Sequence, residues 1–176
     1  MPPVNDQEQQ LVTDLYAAAR MGVFRYLLTL GLDTGRAQDV AQEAFIRLLA
    51  TVRDGKTIEN PKSWVYRVAH NLAIDALEQQ SRVGPYPEAA ADTWESSGKG
   101  AEQDLMERQR LEGFQKAVGQ LSRQQRLCLE LRAEGLRYRE IADVLQIRTS
   151  TVGEFLRRAI QTLRNSINGR STTSQR

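Results

Sequence analysis

Seven residues between 148 and 158 set the chemistry this chain can do: Arg148, Ser150, Thr151, Gly153, Glu154, Arg157 and Arg158. None of these groups, so spaced, makes or breaks a covalent bond. Together they can hold nucleic acid, because a guanidinium fork fits phosphate oxygens and the guanine edge, and a carboxylate accepts from the cytosine amino group. Glu154 can equally favour the positive end of a helix dipole. Just upstream, Ile141, Ala142 and Leu145 fall on one helical face, Ile147 follows as a plug, and Val152, Leu156, Ala159, Ile160 and Leu163 trace a second stripe. The short gap between Leu145 and Val152 makes two helices cross tightly, with small Ala142 at the crossing. Thr149 or Ser150 offers a hydroxyl to cap the second helix. This is the helix-turn-helix pattern, whose second helix lies in a DNA major groove, although an ordinary helical hairpin shares the spacing.

Chemistry of other kinds is not encoded. The sequence has no phosphate-cradling glycine loop, no Cys/His metal spacing and no nucleophile motif with a base. The single histidine, His70, sits beside Asn71 and is expected to be hydrogen-bonded or solvent-facing rather than catalytic. Cys128, the one cysteine, lies among leucines as a small buried thiol. Asp39 and Glu43 pair at i, i+4 as an exposed acidic face without further metal ligands. The expectation is a non-enzymatic protein with no catalytic residues, no metal and no cofactor. No apolar stretch is long enough to cross a bilayer and no signal-peptide layout is present, so a cytoplasmic protein without membrane insertion is expected.

The formal net charge of +2 hides a division. Ten Lys and Arg face fifteen Asp and Glu up to residue 106, whereas fourteen face seven from residue 107 on. All but Lys116 of the later basic residues are arginine, which suits a helix-turn-helix that meets DNA.

The elements that must position these groups are helices throughout. Residues 7–31 carry Leu11, Leu15, Ala18, Ala19, Val23, Tyr26 and Leu30 on one side, up to a break at Gly31. Residues 36–52 carry the line Val40, Ala44, Leu48 and Val52, widened by Phe45 and Leu49. Asn60-Pro61 opens a third helix to residue 82, with Trp64, Val65, Val68, Leu72, Ala73, Ala76 and Leu77 as its apolar positions. Further helices are expected over 105–119, 123–134, 138–146 and 150–166. Between the groups, residues 83–104 are acidic and rich in Gly, Pro and Ser. The fold class expected is all-α: two small helical domains, 7–82 and 105–168, joined by a flexible acidic linker.

Three blocks, in order, resemble the extracytoplasmic-function (ECF) group of bacterial sigma-70-type RNA polymerase sigma factors. "AQDVAQEAFIRLL" (37–49) is similar to conserved region 2.2, "NPKSWVYRVAHNLAIDALEQQSR" (60–82) to regions 2.3 and 2.4, and "LSRQQRLCLELRAEGLRYREIADVLQIRTSTVGEFLRRAIQTLR" (121–164) to region 4. The resemblance implies that Asp39, Gln42 and Glu43 dock on the β′ clamp of core RNA polymerase, and that region 4 meets the β flap. It implies that Asn71, Arg67, Trp64 and Arg82, with the loop 53–62, hold the −10 promoter element and a flipped base; on its apolar face Trp64 reads better as core than as a stacking platform. It implies that Arg148, Ser150, Thr151, Gly153, Glu154, Arg157 and Arg158 meet the −35 element. It also implies that the linker threads through the polymerase, and that an anti-sigma protein is a further partner.

Two departures stand out. Glu78-Gln79-Gln80-Ser81 precedes a single Arg82 where the family carries an arginine-rich run, so duplex contact there is expected to be weak. Gly153-Glu154-Phe155 replaces residues that are commonly basic or small and polar, so the family's usual −35 sequence does not transfer. Two alternative readings remain: a stand-alone helix-turn-helix regulator that never meets polymerase, and a small nucleic-acid enzyme.

Overall fold

The structure is a computed structural model that describes residues 6–83 and 112–168, with side chains placed over 9–81 and 112–166. The acidic linker and the start of the following helix lie outside the described residues. Those described form seven helices and no strand: α1 (Asp6–Thr29), α2 (Thr34–Arg53), α3 (Pro61–Val83), α4 (112–119), α5 (Arg123–Ala133), α6 (Tyr138–Leu145) and α7 (Thr149–Asn168). The all-α class is as expected.

Local chemistry sets the ends of these helices. Gly31 takes φ +102, a left-handed value that suits glycine, and Asp33 then caps α2 by accepting from the Arg36 amide at 2.9 Å. Asn60 caps α3 by accepting from the Ser63 amide at 3.1 Å, with Pro61 at the first helical position, where no N–H is needed. Ser122 and Gln125 form a reciprocal capping box at α5. At the crossing between α6 and α7, Gln146 adopts φ 55 and the Ile147 amide returns to Ala142 O at 3.1 Å, which turns the chain sharply. The expected hydroxyl cap at Thr149 or Ser150 is not formed that way. Helix α7 begins at Thr149, and Arg148 precedes it with its carbonyl accepting from Val152 at 3.1 Å.

Helices α1, α2 and α3 pack as an N-terminal bundle, and α5, α6 and α7 as a C-terminal one. The two bundles also pack on each other, α5 against α1 and α6 against α3, and one hydrophobic core runs from Val12 to Leu156 through both. Tyr26, Leu27, Leu48, Tyr66, Leu131, Ile141 and Leu156 are among its fully buried members. Each such side chain contributes about 1.5–3 kcal/mol of apolar burial.

That shared core explains where the expected apolar stripes fall short. In α1 the buried line is Val12, Ala19, Val23, Tyr26, Leu27 and Leu30, whereas Leu11 and Ala18 face solvent. In α3 the expected face holds Val65 and Ala73, but Tyr66, Ala69 and His70 are buried too, because α3 is covered from a second side by the C-terminal bundle. Ile160, assigned to the α7 stripe, is 43% exposed.

Candidate nucleic-acid interface

Helix α7 presents two faces. Val152, Leu156 and Ala159 are buried against α5 and α6, so Ser150, Gly153, Glu154, Arg157 and Arg158 fall on the opposite side at i, i+3, i+4, i+7 and i+8 spacing. Arg148, Ser150, Arg157 and Arg158 are exposed, while Thr151, Gly153 and Glu154 are half-buried. Glu154 is the centre of this face. Its Oε1 accepts from Arg158 at 2.6 Å and from Arg157 at 3.4 Å, and those two guanidiniums hold its carboxyl below the usual carboxylate range. Both arginines are thus tethered by a neighbouring carboxylate. Among the described residues a Cβ added at Gly153 would meet only Tyr138 Cε2, at an ordinary 3.8 Å, so none of them requires glycine there.

On α3, Trp64, Arg67 and Asn71 share one face at i, i+3 and i+7. Arg67 and Asn71 are exposed. Trp64 is half-buried and packed on the core, which agrees with a structural role. Residue 82 lies in the last turn of α3, but the Arg82 side chain lies outside those described.

His70, on the side of α3 turned toward α1 and α5, is satisfied within the fold: its Nδ1 is 2.7 Å from the Tyr26 hydroxyl. Burial first, and Arg123 second, hold its pKa below the ordinary value. Burial pushes the Cys128 thiol up to about 11, which keeps it protonated and unreactive. Among the described residues, no group of three or more His, Cys, Asp or Glu side chains is placed to hold a metal.

Helix α2 carries the third set. Asp39 and Gln42 are exposed, and half-buried Glu43 accepts from Arg47 Nε at 2.8 Å. Phe45 locks the helix inward with its ring edge-on to Tyr16, 5.0 Å between centroids. Beside Gln42, Ile46 is 52% exposed, and with Tyr16 it adds apolar area to this surface. Ile46 was readable in the sequence as the large apolar residue that breaks the register of Phe45, Leu48 and Leu49.

Sequence reasoning missed a polar cluster between the bundles. Glu134 accepts from Arg25 Nη2 at 3.1 Å and from Lys62 Nζ at 3.1 Å. Glu130 accepts from the Thr29 hydroxyl at 2.6 Å, and burial raises its carboxyl pKa. The Tyr66 hydroxyl is buried beside Glu134, and burial, then that negative charge, pushes its pKa upward. These partners lie 68 to 109 residues apart, so no spacing rule links them.

Comparison with known proteins matches both halves of the chain. The family described as Sigma-70 region 2 matches residues 15–83, and that described as Sigma-70, region 4 matches residues 111–163. The RNA polymerase sigma-H factor of Pseudomonas aeruginosa is 34% identical over 136 residues, 72% of this chain and 70% of that protein. The ECF RNA polymerase sigma-E factor of Escherichia coli is 28% identical over 145 residues, 77% and 76% of the two chains. Among solved structures, the sigma factor RpoE in complex with the anti-sigma factor NepR from Bartonella quintana shares the fold. Its TM-score is 0.65 at 20% identity, over 91% of this chain and 98% of that one.

Proposed function

The chain belongs to the sigma-70 family of RNA polymerase sigma factors, of the ECF type, and from that premise we propose how its faces divide the work of promoter recognition. The family acts in transcription initiation. The chemistry of RNA synthesis belongs to the polymerase; this chain supplies recognition, with no enzymatic step and no cofactor of its own, and works in the cytoplasm. No helix among the described residues is long and apolar enough to cross a membrane.

The N-terminal domain, 7–82, docks on polymerase and holds the −10 element; the C-terminal domain, 105–168, reads the −35 element. Ser150, Thr151, Glu154, Arg157 and Arg158 enter the major groove from the outward face of α7, with Arg148 at the backbone. A bidentate arginine–guanine contact there is worth about 1–3 kcal/mol of discrimination. Asn71 and Arg67 meet the −10 strand, with Arg82 at a backbone phosphate beyond them. Asp39, Gln42 and Glu43 dock on the β′ clamp, with Ile46 adding apolar contact, and the C-terminal domain meets the β flap. What supports this reading above all is the α7 face itself, where hydroxyls, a carboxylate and two guanidiniums stand opposite a fully buried stripe.

An anti-sigma protein is a fitting inhibitor. A groove of about 460 Å³ runs between the bundles, walled by Leu30, Ile74, Leu77, Leu127, Leu145 and Ile147, and an apolar helix can seat there. Nothing favours a stand-alone regulator, since the region 2 match has no place in it.

The test is size-exclusion chromatography of the chain with bacterial core RNA polymerase, beside an Asp39→Lys/Glu43→Lys variant. A stoichiometric complex that the variant loses is expected. An intact variant complex overturns the docking assignment, and no complex with the parent chain overturns the polymerase reading.

A further inference from the structure

Gly153 lies in the second turn of α7, and the fold gives no reason for a glycine there. Its backbone is outside the left-handed region that Gly31, Gly55 and Gly135 occupy, so a side chain would fit without strain. Among the described residues, an added Cβ would meet Tyr138 Cε2 at 3.8 Å and nothing else within 4 Å. Alanine holds a helix interior better than glycine, so Gly153 weakens α7 with no packing gained among those residues. What it leaves is a gap with defined neighbours. Ser150, Gly153 and Arg157 form one row at i, i+3 and i+7 along the outward side of α7, and the Ser150 and Arg157 side chains are exposed. Tyr138, the first residue of α6, borders the gap with a ring carbon and is 43% exposed. The Arg132 guanidinium of α5 lies over that ring, 5.8 Å from its centroid, and steadies it by a cation–π contact. The gap therefore has an aromatic wall, a hydroxyl at one end and a guanidinium at the other.

The base edges in the major groove carry many hydrogen-bonding groups but one apolar group, the C5-methyl of thymine. A hole the size of one missing methyl, walled by an aromatic carbon and set in the row that faces the groove, fits that group better than any donor or acceptor. We propose that Gly153 and Tyr138 form a thymine-reading notch in the −35 face. The C5-methyl takes the place of the absent side chain and packs on the Tyr138 ring, while Ser150 and Arg157 hold the duplex on either side. This rests on the promoter-recognition reading and deepens it. It names a base, and it brings the first helix of the helix-turn-helix into base reading beside the second. A phosphate drawn close to α7 is the rival occupant of a glycine gap, but the Tyr138 ring carbon at its wall gives a phosphate no hydrogen-bond donor.

The experiment uses holoenzyme assembled from bacterial core RNA polymerase and the full chain. Genomic fragments that it retains, and core polymerase alone does not, are sequenced for a shared −35 motif. One such promoter is then remade with each thymine of that element replaced singly by deoxyuridine, which removes the methyl and keeps every hydrogen-bonding group. Competition binding compares these duplexes for holoenzymes carrying the parent chain, Gly153→Ala or Tyr138→Ala. With the parent, one deoxyuridine is expected to weaken binding about fourfold, the factor that corresponds to one methyl group returned to water. With Gly153→Ala, whose own methyl fills the notch, thymine and deoxyuridine at that position are expected to bind alike. That variant keeps the fold, since its methyl meets no described atom closer than 3.8 Å. With Tyr138→Ala, which removes the wall, the preference is expected to shrink. A parent indifferent to every deoxyuridine overturns the notch. So does a variant of either residue that keeps the parent's full preference, even one that binds both duplexes more weakly, as lost phosphate approach would require. A parent holoenzyme that retains no fragments overturns the promoter reading and the notch with it, whereas the other failures leave that reading standing.

Discussion

Gly22→Ala separates local propensity from tertiary packing, because the two predict opposite signs. Gly22 lies within α1, where alanine is favoured over glycine by about 1 kcal/mol. The position is buried, however, and the added methyl would sit 2.5 Å from Glu134 Cδ, Glu134 Oε1 and Tyr66 Oη. Glu134 must swing away, loosening its pairs with Arg25 and Lys62. Those partners are 46% and 34% exposed at their side chains, so each pair is worth only about 0.5 kcal/mol. The Tyr66 ring is buried and packed edge-on to Tyr26, and overpacking against it costs about 1–3 kcal/mol. The net is a loss of about 1–3 kcal/mol, a fall in Tm of about 2–12 °C for a chain of this size. Thermal unfolding followed by circular dichroism reads it. A Tm that rises, as helix propensity alone requires, would refute the packing of the two bundles described above.

Gly153→Ala is the contrast: its methyl meets only Tyr138 at 3.8 Å, so Tm should rise by a few degrees from a gain of about 1 kcal/mol, and a fall in the same melt would refute the open space at that site. His70→Gln should flatten the acid side of the stability profile. The buried imidazole has a pKa below its ordinary 6.5, so the unfolded chain takes up its proton first, and stability present above that pH is lost as pH falls from about 6.5 through the folded value. Glu130, raised by burial, acts in the opposite sense but equally in both proteins; identical denaturation slopes between pH 6.5 and 5 would contradict the assignment. Glu154→Gln should free Arg157 and Arg158 for phosphate, raising non-specific duplex affinity several-fold and steepening its salt dependence by about one counterion per arginine released. Unchanged salt dependence in a fluorescence titration would show that the carboxylate does not hold them back.

Helix positions were legible because their signals are local. Gly31, Asn60-Pro61, Ser122 and Gly135 each fix a boundary through their own backbone or cap chemistry, and observed ends fall within two residues of those expected. The outward face of α7 was legible for the same reason, since one helical period sorts Val152 and Leu156 from Arg157 and Arg158. The second buried side of α3 was not. Tyr66 and His70 pack on Tyr26 of α1, and the C-terminal bundle closes over α3 as well, so an alternation within 61–83 carries no information about that cover. Glu134 and Glu140 likewise read as ordinary surface acids until the fold brings Lys62 and Asn60 to them. Helix capping did hint at Glu140, which stands three residues after Arg137 at the start of α6, but its second partner comes only from the packing of the bundles.

The central claim is that this chain directs polymerase to promoters by reading two elements. Its most direct test is run-off transcription by core RNA polymerase on fragmented genomic DNA, with and without the chain, mapping the 5′ ends of the RNA. New starts that appear only with the chain and share two sequence motifs, near −35 and −10, are expected. Starts that are absent, or that share only one motif, would contradict it.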